Sequence, residues 1–398
     1  MRRNLYALAL LLFVPVAQAQ VSTHSVNTAI LQDAGQAIAA GDLARAENEL
    51  QNLLRISPDD FRALDLLGIV RAQQRREPEA EKLFRQVIQQ KPDYASARVN
   101  LGLLYVQMSR LDDAIAELKE ALRLAPTRTD AADALAGVWR TQAREASASS
   151  NLEKALALLL QARTLQPSNP DVQFEYAMVA LRMSLFRDAR DAFQQALKLR
   201  PDDRNAIYGL GRTYMELARF DDARQQFERY LALQPSDPSA HYALGMALVE
   251  LEQKTEARDQ FRRSIAIMRE QTESYCQIGR LDLASKDFTA AEDNFQRVTQ
   301  RDPRNSCALT GLGRVAFEKK DYTGAAGFLK QAIAVDGNIR EAHYYLGLAY
   351  ARSGRTAESN QELQTATRLE HEEVERQQNL LRVTGSASHP ESAHPAQK

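Results

Sequence analysis

An all-α protein, an α-solenoid of stacked helix-turn-helix repeats, follows from three observations on the sequence. Prolines at Pro58, Pro92, Pro126, Pro167, Pro201, Pro235 and Pro303 are separated by multiples of 34 residues at every gap but one. A Leu-Gly-like pair recurs on the same period, at Leu67-Gly68, Leu101-Gly102, Leu135-Ala136, Tyr176-Ala177, Leu210-Gly211, Leu244-Gly245, Ile278-Gly279, Leu312-Gly313 and Leu346-Gly347. Ala, Leu, Gln, Arg and Glu dominate, where a sheet protein would need β-branched residues. A unit repeated on this scale overrides the usual inference of two or three domains from 398 residues and predicts one array.

The elements follow in chain order. Arg2 and Arg3 precede an apolar run from Leu5 to Val14, Pro15 breaks it, and Ala17-Gln18-Ala19 supplies small residues for a signal peptidase. Residues 1–19 therefore read as a signal peptide cleaved after Ala19, since the run is too short to span a bilayer comfortably. With Gln20 and not Cys directly after the site, a lipoprotein is not indicated, and the mature chain is expected to be exported, periplasmic or extracellular, without a stable membrane span.

Residues 27–370 form about ten units. Each second helix offers an Ala and a large apolar residue four positions on, from Ala46/Leu50 and Ala80/Phe84 through Ala223/Phe227 to Ala325/Leu329, which places both on one helical face. In the last unit, running through Ala342 to Leu369, Ser359 replaces the Ala ahead of Leu363. The irregular gap, Pro126 to Pro167, is seven residues longer than the period; the surplus Glu145–Asn151 is either a loop insertion or an extended first helix. Two units close without proline, at Arg269 and Gly337. Asp59, Asp93, Ser168, Asp202 and Ser236 follow prolines and are expected to cap the next helix. His371–Val383 reads as a polar helix closing the stack, and residues 384–398, rich in Ser, Ala, Pro and His, as a disordered tail.

The stretch Ala206–Pro235 sharpens this reading. Its Ile207, Leu210-Gly211, Tyr214, Ala223, Phe227 and Pro235 sit at the offsets of the tetratricopeptide repeat, which the chain resembles over nearly its whole mature length. The resemblance implies a right-handed superhelix whose first helices line a concave groove, with residues two, five, nine and thirteen of each unit facing it. From the fifth unit onward the fifth-residue row reads Phe174, Tyr208, Tyr242, Cys276, Thr310 and Tyr344, and the ninth reads Met178, Arg212, Met246, Arg280, Arg314 and Leu348. Arg182 and Arg352 flank them, against Glu216, Glu250 and Glu318. Aromatic, Met and Arg side chains are those that interfaces favour, so Phe174, Met178, Arg182, Tyr208, Arg212, Tyr242, Met246, Arg280, Arg314 and Tyr344 are the candidate protein-binding residues. An aromatic at the fifth offset is also common in idealised repeats, so packing within the groove is the alternative. The earlier units offer Leu31, Asp65, Val99 and Asp133 at that offset.

Two specialisations of the family are not matched. A clamp for chaperone C-terminal carboxylates needs Lys and Asn followed by Asn, Lys and Arg across three consecutive units, and no three units supply them; an asparagine ladder needs Asn before each Leu-Gly, and only Asn100 complies. The family's geometry points Cys276 and Cys307, the only cysteines, into the groove from adjacent first helices. In an oxidising compartment they are either bridged or two free thiols, because neighbouring helices lie ~8–10 Å apart and a bridge needs Cα atoms within about 7 Å.

Catalytic signatures are absent from the sequence. It has no phosphate-binding glycine loop, zinc-binding H-E-x-x-H or nucleophile elbow. A net charge of −1, mixed along the chain, gives no electrostatic case for nucleic acid. His241 and His343 share one offset where other units carry Leu64, Ile207 or Tyr275, and read as packing residues; Trp139 occupies the offset of Tyr105 and Tyr214 and reads as core. His389 and His394 have no other ligand nearby. Asp112-Asp113 and Asp221-Asp222 fall at helix starts, where the macrodipole favours them. Neither enzyme activity, a cofactor nor a metal is expected. The sequence instead supports an exported scaffold or adaptor holding a protein or peptide segment in its groove, within a multiprotein complex of envelope assembly or secretion. The alternative is a non-catalytic accessory subunit of an envelope glycosyltransferase or polysaccharide synthase.

Overall fold

The computed structural model describes residues 16–385, which fold into twenty helices with no strand among them. Among the described residues two compact units are distinguished, 16–172 and 173–385. The first contains α1 (Val16–Ala39), α2 (Leu43–Ile56), α3 (Phe61–Gln73), α4 (Glu77–Gln90), α5 (Ala95–Gln107), α6 (Leu111–Leu124), α7 (Thr129–Ala148) and α8 (Leu152–Leu165). The division falls within α9 (Pro170–Arg182). The second continues with α10 (Phe186–Leu199), α11 (Arg204–Glu216), α12 (Phe220–Leu233), α13 (Pro238–Glu250), α14 (Lys254–Ile267), α15 (Thr272–Ala284), α16 (Phe288–Arg301), α17 (Ser306–Glu318), α18 (Tyr322–Val335), α19 (Arg340–Arg352) and α20 (Thr356–Gly385).

Within most repeats the hairpin is held by one recurring contact. The large residue of the second helix, such as Phe84, Phe227 or Phe261, is completely or almost completely buried over the Gly of the first. A Cβ built on Gly245 would stand 2.5 Å from Cε1 of Phe261, so glycine is what lets the two helices come this close. The Ala four residues ahead of the large residue is buried too, as Ala80, Ala223 and Ala257 show. First helices also meet their successors directly: α3 touches α5 and α5 touches α7 in the first unit, while α11 touches α13, α15 touches α17 and α17 touches α19 in the second. The core is thus a series of local clusters, one centred on Phe295 and Leu312 and the next on Leu329 and Leu346.

Between the two helices of a repeat the chain turns through a left-handed residue. Only Gly41 and Gly354 are glycine at this point; Arg75, Ser109, Ser150, Ser184, Ala218, Glu252, Lys286 and Lys320 adopt φ between +54° and +64°. At Ala218 the motif is closed by Ala218 N–H donating to Met215 O (3.0 Å) and Arg219 N–H to Tyr214 O (2.9 Å).

Two sequence expectations change in detail, and one alternative left open by the sequence is decided. Helix caps fall one residue later than expected, on Asp60, Asn169, Asp203 and Asp237, because the residue directly after proline is spent in the turn and the helix starts three residues after the proline. Asp93 is not a cap either: Tyr94 stands at that point of α5, with no side-chain cap. The seven surplus residues lengthen a helix, since α7 has 20 residues where the other described first helices from α3 onward have 13. His371–Val383 is the continuation of α20, a single 30-residue helix, rather than a separate closing element. Most of the leader Met1–Ala19, and the tail from 386 to 398 with His389 and His394, lie outside the described residues.

Candidate groove in the second unit

The aromatic residues of the fifth-residue row are partly core and partly surface. Phe174 packs edge-on against buried Phe193 (centroids 5.9 Å), while Tyr208 lies tilted against Phe227 (5.6 Å) and Tyr242 tilted against Phe261 (5.8 Å), so each ring is seated on the large residue of its own repeat. All three remain half-buried. Tyr344 is 42% exposed and contacts only the edge of Tyr345 among the described rings.

Four of the ten candidates converge on one pocket of about 500 Å³: Phe174, Met178, Tyr208 and Arg212. Asn205 and Ser239, at the second position of their repeats, join them, and so do Tyr230 and Asp237. Tyr242 and Met246 are half-buried and do not line this pocket, and Arg182 is exposed.

Tyr230 was missed from the sequence although a signal was present. It comes from the second helix, at an offset where other repeats carry Leu53, Val87, Ala121, Ala162, Ala196, Ser264, Val298, Ala332 and Ala366. A side chain that large reaches through to the first-helix face. Its ring meets Tyr208 at 5.2 Å and its hydroxyl donates to Asp237 Oδ2 (2.7 Å), while Asp237 Oδ1 caps α13 by accepting from the N–H groups of Ser239 and Ala240. Burial, reinforced by the hydrogen bond to the Asp237 carboxylate, pushes the Tyr230 phenol up to about 12. Burial likewise raises Tyr208. The pocket is therefore walled by neutral rings, with a guanidinium and a carboxylate on its lining.

A second recess, of about 200 Å³, gathers Arg280, Arg314 and Thr310 with Cys307 and Glu341. Arg314 pairs with Glu341 and lies over the Tyr345 ring, 4.9 Å from its centroid. Cys276 and Cys307 are joined as a disulfide in the structure, linking α15 to α17 with Cα atoms 6.5 Å apart, inside ordinary helix spacing. Cys276 is buried and Cys307 is half-buried on the recess wall.

In the first unit the inner positions behave differently. Val99 is buried, Leu31 half-buried and Asp133 exposed. Asp65 is buried and accepts from Asn100 Nδ2 (2.9 Å), with the Tyr94 hydroxyl at 3.5 Å; burial raises its carboxyl above the usual range, and these two hydrogen bonds offset part of the effect. Asn100, the one residue that matched the ladder, is thus the partner of this acid.

The other candidates take packing roles. His241 is buried with Nδ1 2.7 Å from Gln260 Oε1 and Nε2 3.1 Å from Pro235 O; His343 repeats the arrangement with Glu362 Oε2 (2.5 Å) and Gly337 O (3.0 Å). Both rings clip a first helix to the preceding turn and to the second helix of their own repeat. Trp139 is buried. Asp112-Asp113 and Asp221-Asp222 lie in the first turns of α6 and α12. Among the described residues no group of three His, Cys, Asp or Glu is placed to hold a metal, and no helix is long and apolar enough to cross a membrane.

Comparison with known proteins gives matches along most of the chain. A family model for the C-terminal domain of cilia and flagella-associated protein 70 matches residues 21–274, and a tetratricopeptide-repeat model matches residues 276–339. No curated protein matches. Among solved structures, MamA from Desulfovibrio magneticus RS-1 is 21% identical over 42% of this chain and 95% of its own, with a TM-score of 0.41. YrrB, described as a TPR protein with an unusual peptide-binding site, is 23% identical over 46% of this chain and 95% of its own (TM-score 0.39). The APC/C hetero-tetramer Cut9–Hcn1 is 14% identical over 89% of each chain (TM-score 0.48). These are likenesses of fold.

Proposed function

This chain belongs to the tetratricopeptide-repeat family whose model is the C-terminal domain of cilia and flagella-associated protein 70, and from that premise we propose that it is a scaffold holding a segment of a partner protein on the first-helix face of its second unit. One observation carries the proposal: the pocket of about 500 Å³ in which Phe174, Met178, Tyr208 and Arg212 stand together with Tyr230. Rings seated on a rigid core lose little freedom when a ligand side chain settles among them, and Met adapts its shape to what arrives. Arg212, exposed at the pocket, adds a charge that fixes orientation. The leader-like sequence of residues 1–19 supports an exported protein, and an envelope complex of assembly or secretion as the setting. No catalytic role is assigned.

The test is capture of partners from an envelope extract by the purified protein, followed by affinity measurement with Phe174→Ala and Tyr208→Ala, both on the pocket wall. Each substitution is expected to weaken the complex by about 1–2 kcal/mol. Because these two rings rest on the buried Phe193 and Phe227, circular dichroism must first show that the variants keep their helices. Folded variants with undiminished affinity overturn the assignment.

A further inference from the structure

The recess between α15, α17 and α19 contains polar groups that the fold itself does not satisfy. Two of its lining residues carry buried polar atoms with no hydrogen-bond partner among the described residues: the hydroxyl of Thr310 and Nε of Arg314. A buried donor left unpaired is unfavourable, and native proteins leave few of them. A third lining residue, Arg280, has no ion pair or hydrogen bond among the described residues and is exposed. Three residues that line one volume of about 200 Å³, enough for a side-chain-sized group, therefore carry unfulfilled donors, two of them guanidinium groups.

We propose that this recess is an anion subsite taking a single carboxylate of the partner segment. Arg280 supplies the principal ion pair, and Thr310 and the free edge of Arg314 supply hydrogen bonds. Glu341 does not already fill the role. It pairs with Arg314 from α19, neutralising one guanidinium and fixing the plane in which it stands over Tyr345, while Arg280 keeps its charge unbalanced. The Cys276–Cys307 link holds the two helices that carry Arg280 and Thr310 at a Cα separation of 6.5 Å beside the site, so the donors are positioned before a ligand arrives. Guanidinium suits this work because its planar fork meets both oxygens of a carboxylate. An acidic side chain within a segment and the C-terminus of a chain share this chemistry. The proposal rests on the groove reading for its partner but not for its test.

The experiment follows the methyl resonance of Thr310 in full-length protein, carbon-13 labelled at threonine methyls, assigned by its loss in Thr310→Val. Three probes are titrated: N-acetyl-aspartate N-methylamide, N-acetylglycine and the uncharged N-acetyl-asparagine N-methylamide. The two carboxylates are expected to shift the Thr310 signal saturably and the uncharged amide not to. Arg280→Ala is expected to weaken carboxylate binding about tenfold. Tighter binding of the aspartate compound assigns the site to an internal acidic residue, and tighter binding of N-acetylglycine to a chain terminus; either upholds it. An unmoved Thr310 signal, an equal response to the uncharged amide, or unchanged affinity in Arg280→Ala overturns it. Because no partner protein takes part, loss of the aromatic-pocket assignment leaves this result standing, and the reverse holds as well.

Discussion

Replacing Ala218 by Gly is expected to stabilise the second unit, although it removes a methyl group and adds no contact. Ala218 turns the chain from α11 into α12 at φ +54° and is exposed, so its side chain has no packing to lose. An L-residue held in the left-handed region costs about 1–2 kcal/mol, which glycine avoids. Glycine in turn gives the unfolded chain more freedom, costing about 0.4–1 kcal/mol. The balance is a gain of roughly 0.5–1 kcal/mol. The same reasoning reverses at the equivalent turn of the last repeat, where Gly354 has φ +75° and Gly354→Ala should lose a similar amount. A repeat array need not unfold in one step, so a single denaturation midpoint is a poor reporter. Native-state hydrogen exchange resolves the effect locally: amides of α11 and α12 should exchange about two- to five-fold more slowly in Ala218→Gly, and those of α19 faster in Gly354→Ala. Shifts of the same sign in both variants would show that the turn conformation does not govern the energetics of these hairpins.

Three further outcomes are expected. Gly245→Ala should destabilise its repeat by about 1–3 kcal/mol through the clash with Phe261, with partial recovery in Gly245→Ala/Phe261→Leu, measured by native-state hydrogen exchange of the α13 and α14 amides. The buried Asp65 has a raised carboxyl pKa, so the folded state holds its proton to higher pH than the unfolded chain does; stability is greatest below the ordinary value of 3.8 and falls as pH rises through the window above it. Asp65→Asn should flatten that acid-side slope and raise stability at neutral pH, and an unaltered profile would refute the assignment. Mass spectrometry of protein alkylated without reduction should find Cys276 and Cys307 linked, whereas two alkylated thiols would show that the helices approach without bonding.

The repeats were legible because the features that make them are local and periodic: a Pro that cannot continue a helix, a Gly under a Phe, an Ala on the same face. What escaped the sequence was set by neighbours in space. The caps moved by one residue because the turn after proline needs two residues before the next helix can begin, as Asp202 and Asp203 show. Asp65 read as an unremarkable inner-face residue until Asn100, one repeat on, was seen to donate to it. Tyr230 lay outside the expected groove rows, yet its bulk at a position of smaller residues carries it into the pocket beside Tyr208. Cys276 and Cys307 had the right offsets, but ordinary helix spacing left their pairing open, and it took the local approach of α15 and α17 to bring them together.

The lengthened α7 shows what kind of insertion such a hairpin accepts. Seven added residues rotate the end of a helix by about 700°, only ~20° short of two full turns, and advance it by ~10 Å. The chain thus leaves α7 in nearly the bearing it would have had without them. The three-residue turn through Ser150 is kept, and α8 retains the 14 residues common to other second helices. Ala143, one heptad beyond the buried Ala136, is buried as well, so the added turns present another small residue on the same side. An insertion of five residues would swing the exit by ~140° and send the following helix away from its partner. Hairpins of this design can therefore change length only in steps that preserve angular phase, and α7 carries one such step.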